Sequence, residues 1–194
     1  MKKIGLFDVN LDINYLKKKI LKEETKIIKK YPPTNRCGLI TDGDTGLGYN
    51  SLTSRHYHFN VLTWFGTRQL KKEIKRCYNT FMNVNGQDIY VQCWANVMRN
   101  GEVIKPHRHT KPTNRSIICG NLVIQSPETM NTYYEGTPVN NRVGTLTLFP
   151  SNVFHWTDIY IGKEERITIA FDVRNYKDWK EDVFDDAKQH WVKI

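Results

Sequence analysis

The feature that most constrains this chain is a change of period near residue 88. Before it, apolar residues recur every three or four positions; after it, they alternate with polar ones or run together in short stretches. The first spacing describes a helix with one buried stripe, and alternation describes a strand that sends side chains to two faces. Leu16, Ile20, Leu21, Ile27 and Ile28 predict an amphipathic helix over residues 14–30, with Asn14 as its cap and Pro32-Pro33 as its stop. Leu70, Ile74, Cys77 and Phe81 predict a second helix over 67–82, followed by a turn at Asn83-Val84-Asn85-Gly86. From Ile89 to Met98, Tyr90, Gln92, Trp94 and Asn96 share one face, and Val91, Cys93, Ala95 and Val97 share the other. Ser116 to Gln125 is mostly apolar, Gly144 to Phe149 alternates, and Arg166 to Val173 sets Ile167, Ile169 and Phe171 opposite Arg166, Thr168 and Ala170. Residues 176–191 predict a short closing helix. Helices first and short strands later imply an α+β, mainly β, chain around an antiparallel sandwich or barrel.

Composition excludes several function classes. The 194 residues fit one domain, and 39% hydrophobic with 12% aromatic content supports a packed core rather than extended disorder. Cys37, Cys77, Cys93 and Cys119 form no CxxC pair, which argues for a reducing compartment without a disulfide framework. No apolar run reaches the roughly 20 residues of a membrane span, and Asp8 and Asp12 interrupt any signal-peptide core. A soluble, cytoplasmic protein without membrane partners is expected. The net charge of +9 is uneven: residues 1–30 hold nine lysines against Asp8, Asp12, Glu23 and Glu24. Such a segment reads as a solvated helix face; nucleic acid is the alternative partner, without an arginine-rich or aromatic-interleaved motif to support it.

The chemistry concentrates in His107-Arg108-His109, His155 and Arg166-Ile167-Thr168. Histidines two apart on a strand point the same way, so His107 and His109 can share one metal, and His155 follows a chain turn at Pro150. Three imidazoles on one side of an ion leave positions open for substrate and oxygen. Arg166 on a neighbouring strand can grip a carboxylate through two parallel hydrogen bonds, with the Thr168 hydroxyl beside it and Asn96 as a further amide donor. Taken singly, each residue has a plainer reading: a strand histidine is usually packed or exposed, and an inward arginine usually pairs with a buried acid. A second HxH, His56-Tyr57-His58, lies in a loop-rich region with no arginine behind it and ranks lower. Asp42-Gly43-Asp44 lacks the glutamate a calcium loop needs at its twelfth position, which is Thr53.

In this order, Trp94-Ala95-Asn96-Val97, His107-x-His109, Cys119-Gly120-Asn121, Gly144 to Ser151, His155 and Glu165 to Asp172 resemble the Fe(II)/2-oxoglutarate-dependent dioxygenase superfamily, nearest to small oxygenases of bacteria and tailed phages. The resemblance covers about residues 60–174. It implies a double-stranded β-helix, a jelly-roll or cupin-like barrel, with flanking N-terminal helices. One oxygenase domain would span 1–194: a mostly helical flank and loop over 1–85, the β-helix core over 86–174 and a C-terminal segment over 175–194. It also implies Fe(II), 2-oxoglutarate and O2, with decarboxylation to succinate and hydroxylation of a C–H bond. His107, His109 and His155 would be the catalytic metal ligands, and Arg166, Thr168 and Asn96 would bind 2-oxoglutarate. The family's usual Asp or Glu is here His109, which removes the anionic ligand; Asp158 is a candidate substitute, though a surface role suits it better.

Two other functions compete. One is a three-histidine dioxygenase or cupin-type enzyme that does not use 2-oxoglutarate. The other is a non-catalytic binding protein, phage-structural or nucleic-acid-associated, in which the N-terminal lysines matter most. The substrate is open among amino acids, peptidyl proline, nucleotides and sugars, as is the oligomeric state. Residues 41–60 form either a lid over the site or an ordinary surface connection. Protonation of the ligand imidazoles should end activity below about pH 6.

Overall fold

Two ten-residue strands carry the architecture of the computed structural model, which describes residues 3–33, 46–109, 117–127, 129–181 and 190–194. They are β2 (Ile89–Met98) and β8 (Arg166–Asn175), paired antiparallel along their whole length, from Ile89 opposite Asn175 to Met98 opposite Arg166. On the far side of β8 lies β3 (Ile118–Gln125), and beyond it β6 (Thr145–Pro150) and β1 (Gly5–Asp8); β9 (Val192–Lys193) closes the other edge. A second antiparallel sheet runs β5 (Thr137–Asn140), β4 (Asn131–Tyr134), β7 (His155–Thr157). A single bridge between His107 and His155 continues this sheet past β7. This is the double-stranded β-helix: two facing sheets with few helices, and mainly β.

Each face of the larger sheet has its own partner. Ile167, Ile169, Phe171 and Val173 of β8 join Val91, Ala95, Leu122, Leu146 and Leu148 in the main core. That core is completed by α1 (Ile13–Lys30), through Leu16, Ile20 and Ile27, and by α2 (Arg68–Met82), through Leu70, Ile74, Cys77 and Phe81. The other face carries Arg166, Thr168, Asp172, Cys119 and Phe149 toward the smaller sheet, where Ile117, Cys119, Tyr134, Phe149 and Val153 form a second, smaller core. Both faces are covered, so almost every residue of β2 is buried and the strand lacks a solvated side. Lysines stay on the outer side of α1, where Lys19 and Lys26 pair with Glu23; the buried Glu24 instead takes both Arg99 nitrogens at 3.0 and 2.8 Å.

The differences from the sequence reading have local causes. α1 starts one residue early, so its cap is Asp12, which accepts from the Tyr15 N–H at 2.9 Å, and Asn14 falls inside the first turn. β1 precedes both helices; four residues are too short for periodicity to reveal, and pairing with β6 alone makes them a strand. The closing helix is only α3 (Tyr176–Glu181) within the described residues, and Val192-Lys193 is a strand on the β2 edge. Asn83 ends α2 in the left-handed conformation, as the predicted turn requires. Cys37 and the Asp42-Gly43-Asp44 stretch lie outside the described residues, while Cys77, Cys93 and Cys119 are buried free thiols. Among the described residues, no helix is long and apolar enough to cross a membrane.

Gly120 marks the tightest contact between β3 and β8. A Cβ there would overlap the ring of Phe171, which is fully buried and hemmed in by the main core. Gly120→Ala should therefore cost about 1–3 kcal/mol in urea denaturation. Phe171→Leu in the same chain should recover part of that loss.

Candidate active site

His107 and His155 exchange both backbone hydrogen bonds, at 3.1 and 2.9 Å, and the His109 N–H donates to Ser151 O at 2.9 Å. The sequence reading placed His107 and His109 on a strand, but only the one bridge forms. Behind His107 the register slips: the Thr157 N–H reaches Ile104 O at 3.0 Å instead of Lys105 O, so no regular ladder continues there. The bridge suffices to gather the rings. Their centroids lie 4.1 Å apart for His107 and His155, 5.3 Å for His107 and His109, and 5.1 Å for His109 and His155. One ligating atom from each of the three falls within 4.8 Å of the others.

Each ring has one nitrogen already committed. Nδ1 of His107 faces Lys105 O at 2.8 Å, Nδ1 of His155 faces Val153 O at 3.1 Å, and Nδ1 of His109 faces Asp172 Oδ1 at 2.8 Å. Carbonyl and carboxylate oxygens only accept, so each Nδ1 carries a proton, and in the neutral ring Nε2 keeps its lone pair. Metal-binding histidines are held in the same way.

Ionisation follows from depth and neighbours. The rings show an edge at the site mouth, yet protein atoms surround them closely enough to penalise charge. Burial and the His109 ring take His107 down to about 4, and burial with both neighbouring rings holds His155 well below the usual imidazole range. For His109, burial lowers the value, but the Asp172 carboxylate outweighs it and leaves it raised. Asp172 itself stays ionised: burial would raise its pKa, but His109, the Cys119 thiol and Arg174 together bring it below the ordinary value.

Farther along the same face of β8 lies Arg166, 1% exposed. Its Nη1 meets Met98 Sδ at 3.1 Å, its Nη2 donates to Thr132 Oγ1 at 3.2 Å, and its buried Nε has no partner. No acid pairs with it among the described residues. Burial brings its pKa to about 10, still a cation at neutral pH. Tyr134 stands between this arginine and the histidines, its ring 6.1 Å from that of His155. Burial raises the Tyr134 hydroxyl to about 12; Thr147 and Asn121 lie close enough to ease its ionisation, but neither makes a well-formed hydrogen bond to it. Thr168 Oγ1 accepts from Asn96 Nδ2 at 3.3 Å, and Asn96 Oδ1 accepts from Thr53 Oγ1 at 2.6 Å, so these two residues are tied to each other beside Arg166.

Asp172, Tyr134 and Thr132 are not among the site residues that the sequence reading named. Asp172 was within reach, because the alternation of Arg166, Thr168 and Ala170 continues to it; Tyr134 and Thr132 sit on a four-residue strand with no periodic signal. Residues 51–56 are buried rather than a surface connection, and residues 41–45 lie outside the described part. His56 packs on Trp94 and His58 stacks on Tyr31, so the second HxH serves two separate neighbours. Asp158 is exposed and accepts from the Tyr133 hydroxyl at 3.0 Å, away from the metal-ligating set.

Residues 124–172 match the family described as "Putative 2OG-Fe(II) oxygenase". No curated protein matches the chain. Among solved structures, the chain is similar to the viral collagen prolyl hydroxylase vCPH of Paramecium Bursaria Chlorella virus-1 in its 2OG complex (TM-score 0.57, 12% identity, 89% of this chain and 96% of that one). It is also similar to a Pseudomonas putida prolyl-4-hydroxylase (0.53, 12%, 90% and 93%) and to AviO1 of Streptomyces viridochromogenes Tue57 (0.59, 9%, 90% and 90%). Residues 124–172 thus resemble that family in sequence, and the whole chain shares the fold of these solved structures.

Proposed function

We propose that the chain acts as an iron- and 2-oxoglutarate-dependent oxygenase, one domain over residues 1–194, with Fe(II) held by His107, His109 and His155. The observation that carries this reading is that one ligating atom from each of the three imidazoles lies within 4.8 Å of the others while every Nδ1 is already committed to an oxygen, which leaves Nε2 as the nitrogen free to bind. When bound, iron would supply the redox chemistry by which O2, 2-oxoglutarate and a C–H substrate become succinate, CO2 and the hydroxylated substrate. The chain's own residues do the binding and positioning. Arg166 is a buried cation with an unpartnered Nε and no acid beside it among the described residues, an arrangement that calls for an anionic ligand. The far carboxylate of 2-oxoglutarate fits that role, with Thr168 and Asn96 beside it and Tyr134 offering its unpaired hydroxyl. The apolar ring of Phe149, 4.7 Å from that of His155, and the packed Cys119 and Val153 keep water from the floor of the site. The resemblance to oxygenases of bacteria and tailed phages, with the reduced cysteines, supports a cytoplasmic setting, host cytoplasm if the chain is phage-encoded.

His107→Ala should abolish iron-dependent succinate release across a substrate panel; wild-type-like turnover would remove His107 from the site. Arg166→Ala should raise the 2-oxoglutarate requirement about 30-fold or more, as expected for loss of a charge-assisted contact. An unchanged requirement would return Arg166 to a structural role.

Protonation should also appear in the stability of the metal-free chain. His107 and His155 have folded pKa values below the ordinary 6.5, so the unfolded chain takes up protons that the folded one refuses. Their contribution is complete above 6.5 and is lost as pH falls, for His107 toward about 4. His109 is raised and acts in the opposite sense, favouring the folded state below 6.5, and so offsets part of the loss. Thermal melts of wild type and His155→Gln between about pH 7.5 and 4.5 should show the steeper fall in wild type. Parallel slopes would show that His155 is not a titrating group.

A further inference from the structure

We propose that Asp172 replaces, through His109, the anionic ligand that the metal site lacks at residue 109. The inference rests on the metal reading above and adds a positioning residue to it. Of the three imidazoles, two give their Nδ1 proton to neutral backbone carbonyls; only His109 gives it to a carboxylate, at 2.8 Å. His109 is also the position where the family resemblance expects the carboxylate ligand. The negative charge has therefore moved outward by one ring rather than vanished.

The fold provides for this. Asp172 lies on the site-facing side of β8, opposite Gln92 on β2 and Cys119 on β3, and the side chains of His109 and Asp172 are only 14% and 18% exposed. A hydrogen-bonded carboxylate fixes the plane and tautomer of the ring and strengthens Nε2 as a donor. The set of three imidazoles and one buried carboxylate then has the net charge of a site with two imidazoles and one ligand carboxylate. A second possible set, His109 with Cys119 and Asp172, also has its ligating atoms within 4.8 Å of one another. It would use Asp172 directly and so competes with this assignment.

The test is Mn(II) and Co(II) binding to the whole chain by calorimetry, with the Co(II) absorption spectrum as a second readout. Asp172→Asn keeps an acceptor for the His109 proton but removes the charge, and is expected to weaken Mn(II) binding about 10- to 100-fold. Returning the charge to the ion, in His109→Asp with Asp172→Asn, is expected to restore most of that loss. Cys119→Ser should leave affinity and spectrum unchanged. A wild-type chain that takes up neither metal would overturn the metal reading and this inference with it. Equal binding by wild type and Asp172→Asn would overturn the inference alone, and so would a Cys119→Ser chain that binds weakly. If Asp172→Asn does not fold, the double variant decides: binding no better than that of His109→Ala overturns the proposal.

Discussion

His107 and His155 lie in segments 48 residues apart, and two reciprocal backbone hydrogen bonds hold them face to face. The site depends on that exchange. It places two imidazoles side by side, it continues the smaller sheet past β7, and it brings His109 to donate to Ser151. An isolated bridge is a weak device by itself. Here the flanking ladders are extensive, and the two covered faces of the larger sheet leave β2 and β8 little freedom to shift. Slipping β8 by one residue would turn Arg166, Thr168 and Asp172 toward the helices and Ile167 and Ile169 toward the site.

The interior opposite the helices is polar where a domain of this kind would ordinarily be apolar. Arg166, Thr168, Asn96, Asp172 and Tyr134 all face it, and two of them leave enclosed polar atoms without a well-formed hydrogen bond. Groups in this state work against folding, and the apolar core on the other face of the sheet offsets their cost. Local rules broken at one place and kept elsewhere are the mark of a functional cavity. The charges also divide along β8, with a cation at Arg166 and an anion at Asp172 behind the histidines. Under the proposed function, a dicarboxylate with one end on a metal and the other on Arg166 would match that division.

Much of this was legible because strands β2 and β8 are long and alternate cleanly. Their ends at Ile89, Met98 and Arg166 follow from period alone, and so does the shared face of Asn96, Arg166 and Thr168. The helices were legible for a similar reason, each burying a single stripe. Short elements were not. β1, β4, β7 and β9 have two to four residues each, too few to show a period, and they become strands only because a neighbour supplies the hydrogen bonds. Tyr134 and Thr132 were invisible with them. The extended stretch at His107 and His109 was overread: among the described residues the His107–His155 bridge stands alone, and the next bond, from the Thr157 N–H to Ile104 O, falls out of register.

By itself, the sequence determined which residue types exist to do chemistry and which long segments alternate. These are properties of local order along the chain, and one chain suffices to read them. Only the tertiary structure decided that Asp172 lies against His109, that Arg166 has no acid beside it among the described residues, and that His56 and His58 serve other neighbours. Each of those is a contact between residues from different elements, set by strand register and sheet packing.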